Sequence, residues 1–244
     1  MRKALIVTVA GAAAVALVVA ATATGARTGA AAIPGCAKGS LNLLKAGTLT
    51  VGADNPAFPP WFGGAEKKPW KVSNPYSGKG YESAVVYAIA SQLGFSKAQV
   101  AWTYVPFNNS YKPGKKPFDF YLTQVSYSPE RARAVDFSRG YYFVNQAVVA
   151  RKGTPIAKAK SIAALRSYKL AAQVGTTSYT YITRFIRPSS SPAVYDTNDA
   201  AIQALKNGQI DGIVVDLPTA FYVTAVQLDD GVIVGKLPTK GTKE

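Results

Sequence analysis

Apolar residues recur along this chain in two rhythms, short runs of strand length and longer stretches spaced three and four apart. Thr48–Ala53 reads as a first buried strand, and Val100–Val105, alternating with aromatics, as the next. Between them Tyr81, Ala84, Val85, Ala88, Ile89 and Leu93 follow helical spacing, with Gly94 as a natural stop. A β-leaning run at Phe118, Phe120 and Leu122 loses its apolar character at Thr123, Gln124 and Ser126. Ser128-Pro129-Glu130 then starts a short helix ending near Val135: a hydroxyl cap, a proline at the first position and an acid in the first turn. The second half repeats the alternation. A strand over Tyr141–Ala150 crosses to it, and Ser161 caps a short helix through Arg166. Strands at Lys169–Val174, Ala193–Tyr195, Ile210–Val215 and Val232–Val234 are interleaved with helices at Ser178–Ile186, 198–207 (capped by Thr197, stopped by Gly208) and Pro218–Gln227. This order predicts βαβ units and largely parallel sheets.

Three stretches break the rhythm. Asn55–Phe62 is Pro- and aromatic-rich and predicts a rigid extended loop; residues 63–79 read as an exposed excursion. Residues 108–117, NNSYKPGKKP, carry two prolines and a glycine and predict no helix.

Composition narrows the chemistry. With no histidine and one cysteine, His-based catalysis and a His/Cys metal site are excluded. The formal charge is +15; Arg2, Lys3 and Arg27 lie in residues 1–35, which hold no acid, leaving +12 on the remainder. The cations are scattered without an aromatic-plus-basic motif, so nucleic acid is not expected as a partner, and an exported protein beside an anionic envelope is.

Arg131, one turn into a helix that follows hydroxyl-bearing residues at a strand end, suits a carboxylate, because a guanidinium is a two-pronged donor and the strand–helix junction offers free N–H groups. A surface arginine in an ordinary βα unit is the alternative. The order of Asp119, Ser126, Ser128-Pro129-Glu130-Arg131-Ala132, Val135-Asp136-Phe137-Ser138 and Tyr141-Tyr142 resembles the amino-acid-binding branch of the bacterial extracytoplasmic solute-binding proteins, family 3, the capture subunits of ABC importers. Three further blocks stand in that family's order: Val51-Gly52-Ala53-Asp54 with Phe58-Pro59-Pro60, Gln173-Val174-Gly175-Thr176-Thr177, and Ile210 to Asp216.

The resemblance implies an α/β, two-lobed periplasmic-binding-protein-like (type II) fold, each lobe a mainly parallel sheet flanked by helices. It divides the chain into a targeting segment (1–35), lobe 1 (36–143), lobe 2 (144–240) and a tail (241–244). Arg131 would pair with an amino acid's α-carboxylate, helped by Ser126 and the backbone near Gln124. Thr177 would donate to the same carboxylate from lobe 2, with Gly175 and Thr176 before it counted among the ligand-binding residues, and Asp216 would hold the α-ammonium. Phe58 and Phe107 would form apolar walls, with Trp61 a weaker candidate, and Asp54 the side-chain subsite. Read without the family, Gly-Thr-Thr is a strand-to-helix turn, Asp216 an N-cap before Pro218, and the aromatics core. A helix usually links the strand before Phe107 to the next in this family, so residues 108–117 depart from the pattern. In relatives the chain also crosses back to lobe 1 after a strand like Val232–Val234. The sequence stops at Glu244, so lobe 1 is expected to lack that return.

Arg2-Lys3 and the apolar run from Ala4 to about Ala21 predict an export signal. Ile33-Pro34-Gly35-Cys36 resembles a lipobox, making Cys36 the candidate for lipidation; half of a disulfide found in some relatives is the other reading. The expectation is a monomer that takes a free amino acid and docks on ABC importer membrane subunits, meeting the membrane only through signal or lipid, with no cofactor and no catalysis. A dehydratase-like enzyme, for which Glu82 or Asp54 would supply the acid, an extracytoplasmic sensor and a non-functional remnant are the alternatives.

Overall fold

The structure, a computed structural model, describes residues 35–239; the expected targeting segment, apart from Gly35, and the 241–244 tail lie outside them. Two sheets divide these residues without interleaving. Leu49–Ala53 (β1) forms because its small and β-branched residues are buried on both faces, and it stands between Val100–Tyr104 (β2) and Phe120–Tyr121 (β3). Both pairings are parallel, with Leu49 opposite Val100 and Val51 opposite Phe120. Tyr81–Gln92 (α1) packs on this sheet through Val86 and Ala90. The core it closes is aromatic, built from Trp61, Phe62, Trp70, Phe95 and Trp102.

The second sheet runs β6-β5-β7-β4-β8, from Gln146–Arg151 (β4), Leu170–Gln173 (β5), Ala193–Tyr195 (β6), Gly212–Asp216 (β7) and Gly231–Lys236 (β8). Adjacent residues of its central strands fall into different aliphatic clusters: Ile213 and Val215 pack with Ile202, Leu205 and Val223, while Val214 packs with Ile156, Leu165, Ile182 and Ile186. The sheet is therefore covered on both faces, which is why its strands read as unbroken apolar runs. Each fully buried Ile, Leu or Val contributes about 1.5–3 kcal/mol.

Several expectations need correction. β4 begins at Gln146, not Tyr141, because the Tyr141 and Tyr142 rings pack against Tyr81 and, for Tyr142, against Trp61. β4 runs antiparallel to both β7 and β8, one strand reversed in a sheet whose other four strands run the same way, as the expected mainly parallel sheet requires. Residues 108–117 are not wholly irregular. Phe107–Ser110 makes one helical turn (α2), bonded from Asn109 N to the Pro106 carbonyl, before Pro113 and Gly114 (φ 108°) end it.

The helix starting at Ser128 is Pro129–Ala132 (α3), capped as expected by the Ser128 hydroxyl, which accepts from Arg131 N. Thr177–Tyr181 (α4) and Leu217–Tyr222 (α6) each continue into a wider π turn, over Ile182–Ile186 and Val223–Gln227. Asn198–Lys206 (α5) is capped by Thr197, which accepts from Ala200 N. The helix expected after Ser161 is a 3₁₀ turn at Ala163–Ser167, with the serine hydroxyl accepting from Ala164 N.

Candidate functional site

The parallel strands of both sheets end toward one cleft, and the residues just past those ends line it. From lobe 1 come Asp54 after β1, Thr123, Gln124 and Ser126 after β3, Arg131 on α3, Phe107, and Phe58 from the Pro-rich loop. From lobe 2 come Gln173, Thr176, Thr177 and Ser178 around the β5–α4 junction, Asn198 and Asp199 at the start of α5, and Asp216 ending β7. The cavity has a volume of about 100 Å³. Rings from the two lobes meet at its rim, Phe58 and Tyr222 lying 5.8 Å apart between centroids.

Arg131 is 7 % exposed. Its Nη1 donates to the Ser126 carbonyl at 2.6 Å and its Nη2 to the Gly175 carbonyl at 2.7 Å, so the guanidinium bridges the two lobes. Its flat face lies 4.5 Å from the Tyr111 ring centre and 5.5 Å from that of Phe107. Burial disfavours its charge, and Tyr111 and the carboxylate of Asp216 offset that cost. A guanidinium held on backbone oxygens and aromatic faces keeps its orientation while remaining able to receive an anion.

Asp216 is fixed by a residue that sequence reasoning passed over. The antiparallel register places Gln146 directly opposite it, and Gln146 Nε2 donates to Asp216 Oδ1 at 2.5 Å. The amide oxygen of Gln146, Oε1, accepts from Ser178 Oγ at 2.5 Å, and Nε2 lies 3.5 Å from Thr177 Oγ1. One buried side chain thus sets the carboxylate and the first turn of α4 relative to each other. The only signal in the sequence was a lone glutamine heading an apolar strand.

On the other side Glu82, fully buried in the first turn of α1, accepts from Gln124 N and from the Tyr141 hydroxyl, both at 2.6 Å through Oε1. Gln124 needs this support, because its φ of 50° is a left-handed conformation that a side chain disfavours. Burial pushes Glu82 up to about 7; the Tyr141 and Gln124 donors pull it down, and the charge of Asp216 adds to the rise. Asp54 is pushed up to about 6, chiefly by burial, against hydrogen bonds from the Asn55 and Phe107 backbone.

The structure brings Asp54, Phe58, Phe107, Gln124, Ser126, Arg131, Thr176, Thr177 and Asp216 to the cleft, while Gly175 offers its carbonyl to Arg131. Trp61 does not line it. The indole is buried in the lobe 1 core, edge-on to Tyr142 at 4.9 Å. Glu82 likewise sits behind Gln124 instead of lining the cavity. Cys36 is a partly exposed free thiol, and among the described residues no helix is long and apolar enough to cross a membrane.

Comparison with known proteins agrees with this architecture. The chain is 28 % identical over 138 residues to the ABC transporter arginine-binding protein 1 of Escherichia coli (strain K12), covering 56 % of this chain and 54 % of that protein. It is 27 % identical over 156 residues to a probable histidine-binding protein of Campylobacter jejuni (strain NCTC 11168), covering 63 % and 57 %. It therefore spans little more than half the length of the curated relatives it matches. The solved structure of holo ArgBP from T. maritima superposes with a TM-score of 0.63 over 79 % of each chain at 24 % identity, which places the fold. The family model for bacterial extracellular solute-binding proteins, family 3, matches residues 49–215, and the chain belongs to that family.

Proposed function

We propose that the protein captures a free amino acid outside the cytoplasm and presents it to an ABC importer, holding the ligand between two hinged lobes without chemical change. The observation that carries this reading is the placement of Arg131 on one lobe and Asp216 on the other, both facing one cleft. A zwitterion carries a carboxylate and an ammonium one carbon apart. Arg131, with Ser126 and the Gln124 backbone, takes the first, joined from the opposite lobe by Thr176 and Thr177; Asp216, held by Gln146, takes the second. Only a closed cleft satisfies both charges, so the ligand shifts the hinge population toward the form an importer recognises.

Asp54 lines the cleft, accepts from the Asn55 backbone N–H at 2.8 Å, and favours a ligand side chain that donates hydrogen bonds or carries positive charge. That the two curated relatives are named for arginine and histidine supports the cationic choice. The position of Glu82 behind Gln124 removes it as the acid of dehydratase-like chemistry and leaves Asp54, at the cavity wall, as the acid that alternative would need. Export through residues 1–35 and attachment at Cys36 complete the reading. Thermal unfolding of the protein with each of the twenty L-amino acids tests it. A rise in Tm with one or a few, L-arginine foremost, is expected; no shift with any of them at millimolar concentration would reject it.

A further inference from the structure

The Pro- and Gly-rich segment after Phe107 places Tyr111 against Arg131, beside the residues that line the cleft. Tyr111 follows α2, and its ring lies 4.5 Å from the Arg131 guanidinium, while Phe107 sits edge-on to that ring at 5.7 Å. Its hydroxyl reaches the Gly175 carbonyl at 3.2 Å and also meets Asn108 Oδ1. The Gly175 carbonyl oxygen therefore accepts from Arg131 Nη2 and stands within reach of the single Tyr111 hydroxyl proton, for which Asn108 Oδ1 competes. The backbone there leaves no room for a side chain. Gly175 has φ 73°, and a Cβ would stand 2.7 Å from the Tyr111 hydroxyl oxygen and against Asn108 Oδ1.

We propose that Tyr111 is a positioning residue of the cleft, whose ring fixes the plane of the Arg131 guanidinium and whose hydroxyl latches lobe 1 to lobe 2 through Gly175. Ring and hydroxyl do separable work. The ring limits how the guanidinium rotates and therefore how squarely it meets a carboxylate. The hydroxyl adds an interlobe hydrogen bond that must break for the cleft to open, so it acts on ligand departure more than on entry. The ligand-side part of this inference rests on the proposed amino-acid binding; the interlobe latch does not.

Tyr111→Phe and Tyr111→Leu separate the two parts, with L-arginine as the probe in stopped-flow titration and small-angle X-ray scattering on the protein alone. For Tyr111→Phe the expectation is dissociation about three- to tenfold faster, association within twofold of the parent, and Tm unchanged, because the ring and its packing remain. Tyr111→Leu should speed dissociation about tenfold to a hundredfold and raise the radius of gyration of the protein without L-arginine. In a Gly175→Ala background, where the added methyl already displaces the hydroxyl, Tyr111→Phe should have almost no further effect. If the parent binds no L-arginine, the amino-acid reading in its cationic form fails, and the scattering comparison alone decides on the latch. Dissociation and scattering both unchanged in Tyr111→Leu would overturn the proposal.

Discussion

The two lobes present opposite solutions to building one side of a cleft. Lobe 2 is an aliphatic sandwich: five strands, apolar clusters on both faces, and Gln146 and Ser178 as its buried polar residues among those described. Lobe 1 has three strands and an aromatic core, and it buries Glu82, Ser83, Ser110, Thr123 and Arg131. A sheet covered on both faces by aliphatic side chains holds its strand ends in place through volume and shape. Lobe 1 instead relies on the buried carboxyl group of Glu82 to hold the left-handed Gln124 and on side-chain hydrogen bonds to tie loops together. Lobe 2 should therefore answer to changes in packing, and lobe 1 to changes in hydrogen bonding and charge.

The largest expected effect falls on packing. Leu205→Ala, at 1 % exposure in lobe 2, should cost about 2–5 kcal/mol in chemical denaturation through lost transfer energy and the cavity left behind. Next comes backbone geometry in lobe 1. Gly80, the residue before α1, has φ 89°, and a Cβ would lie 2.5 Å from the Phe62 Cα. Gly80→Ala should cost at least about 1–3 kcal/mol and disturb the cleft as well, since α1 carries Glu82.

The third effect is electrostatic and sharpens the contrast between lobes. Glu82, pushed up to about 7, holds a proton in the folded state that the unfolded chain has already released. The stability it contributes is fully present below its ordinary value near 4.5 and is lost as pH rises through about 7. Asp54 adds the same sign between about 3.8 and 6. Glu82→Gln should flatten the upper part of that decline in a series of denaturation curves, whereas no substitution in the lobe 2 clusters should change its slope. The smallest effect belongs to the Arg151–Asp230 ion pair, 2.7 Å long but about 40 % exposed on each side. Asp230→Ala should cost roughly 0.2–1 kcal/mol, less in high salt.

Lobe 2 was also the more legible half. β6 is found at the residues expected for it, and Thr197 and Ser161 accept the cap hydrogen bonds their positions implied. Periodicity gives the type of an element but not its direction, so nothing in Tyr141–Ala150 revealed that β4 runs antiparallel to its neighbours. In lobe 1 the organising contacts join residues far apart in sequence, 42 positions between Glu82 and Gln124 and 59 between Glu82 and Tyr141. No local pattern records such a network. Trp61 shows the same limit, since an aromatic in a Pro-rich loop reads equally as wall or core until its neighbours are known. The cleft residues were legible through strand ends and family order. Gln146 and Tyr111, which hold Asp216 and Arg131, were not, because their partners are fixed only by the fold.

The proposed grip sets opposite charges on opposite lobes at the two ends of one zwitterion. Calorimetric titration of L-arginine into the parent, Arg131→Ala and Asp216→Asn separates this grip from any other mode of binding. Measurable binding to the parent is expected, with a loss of at least about a hundredfold in each variant, the scale of removing a charged partner of a buried group, and circular dichroism unchanged. Affinity for L-arginine that survives intact in Arg131→Ala would contradict it.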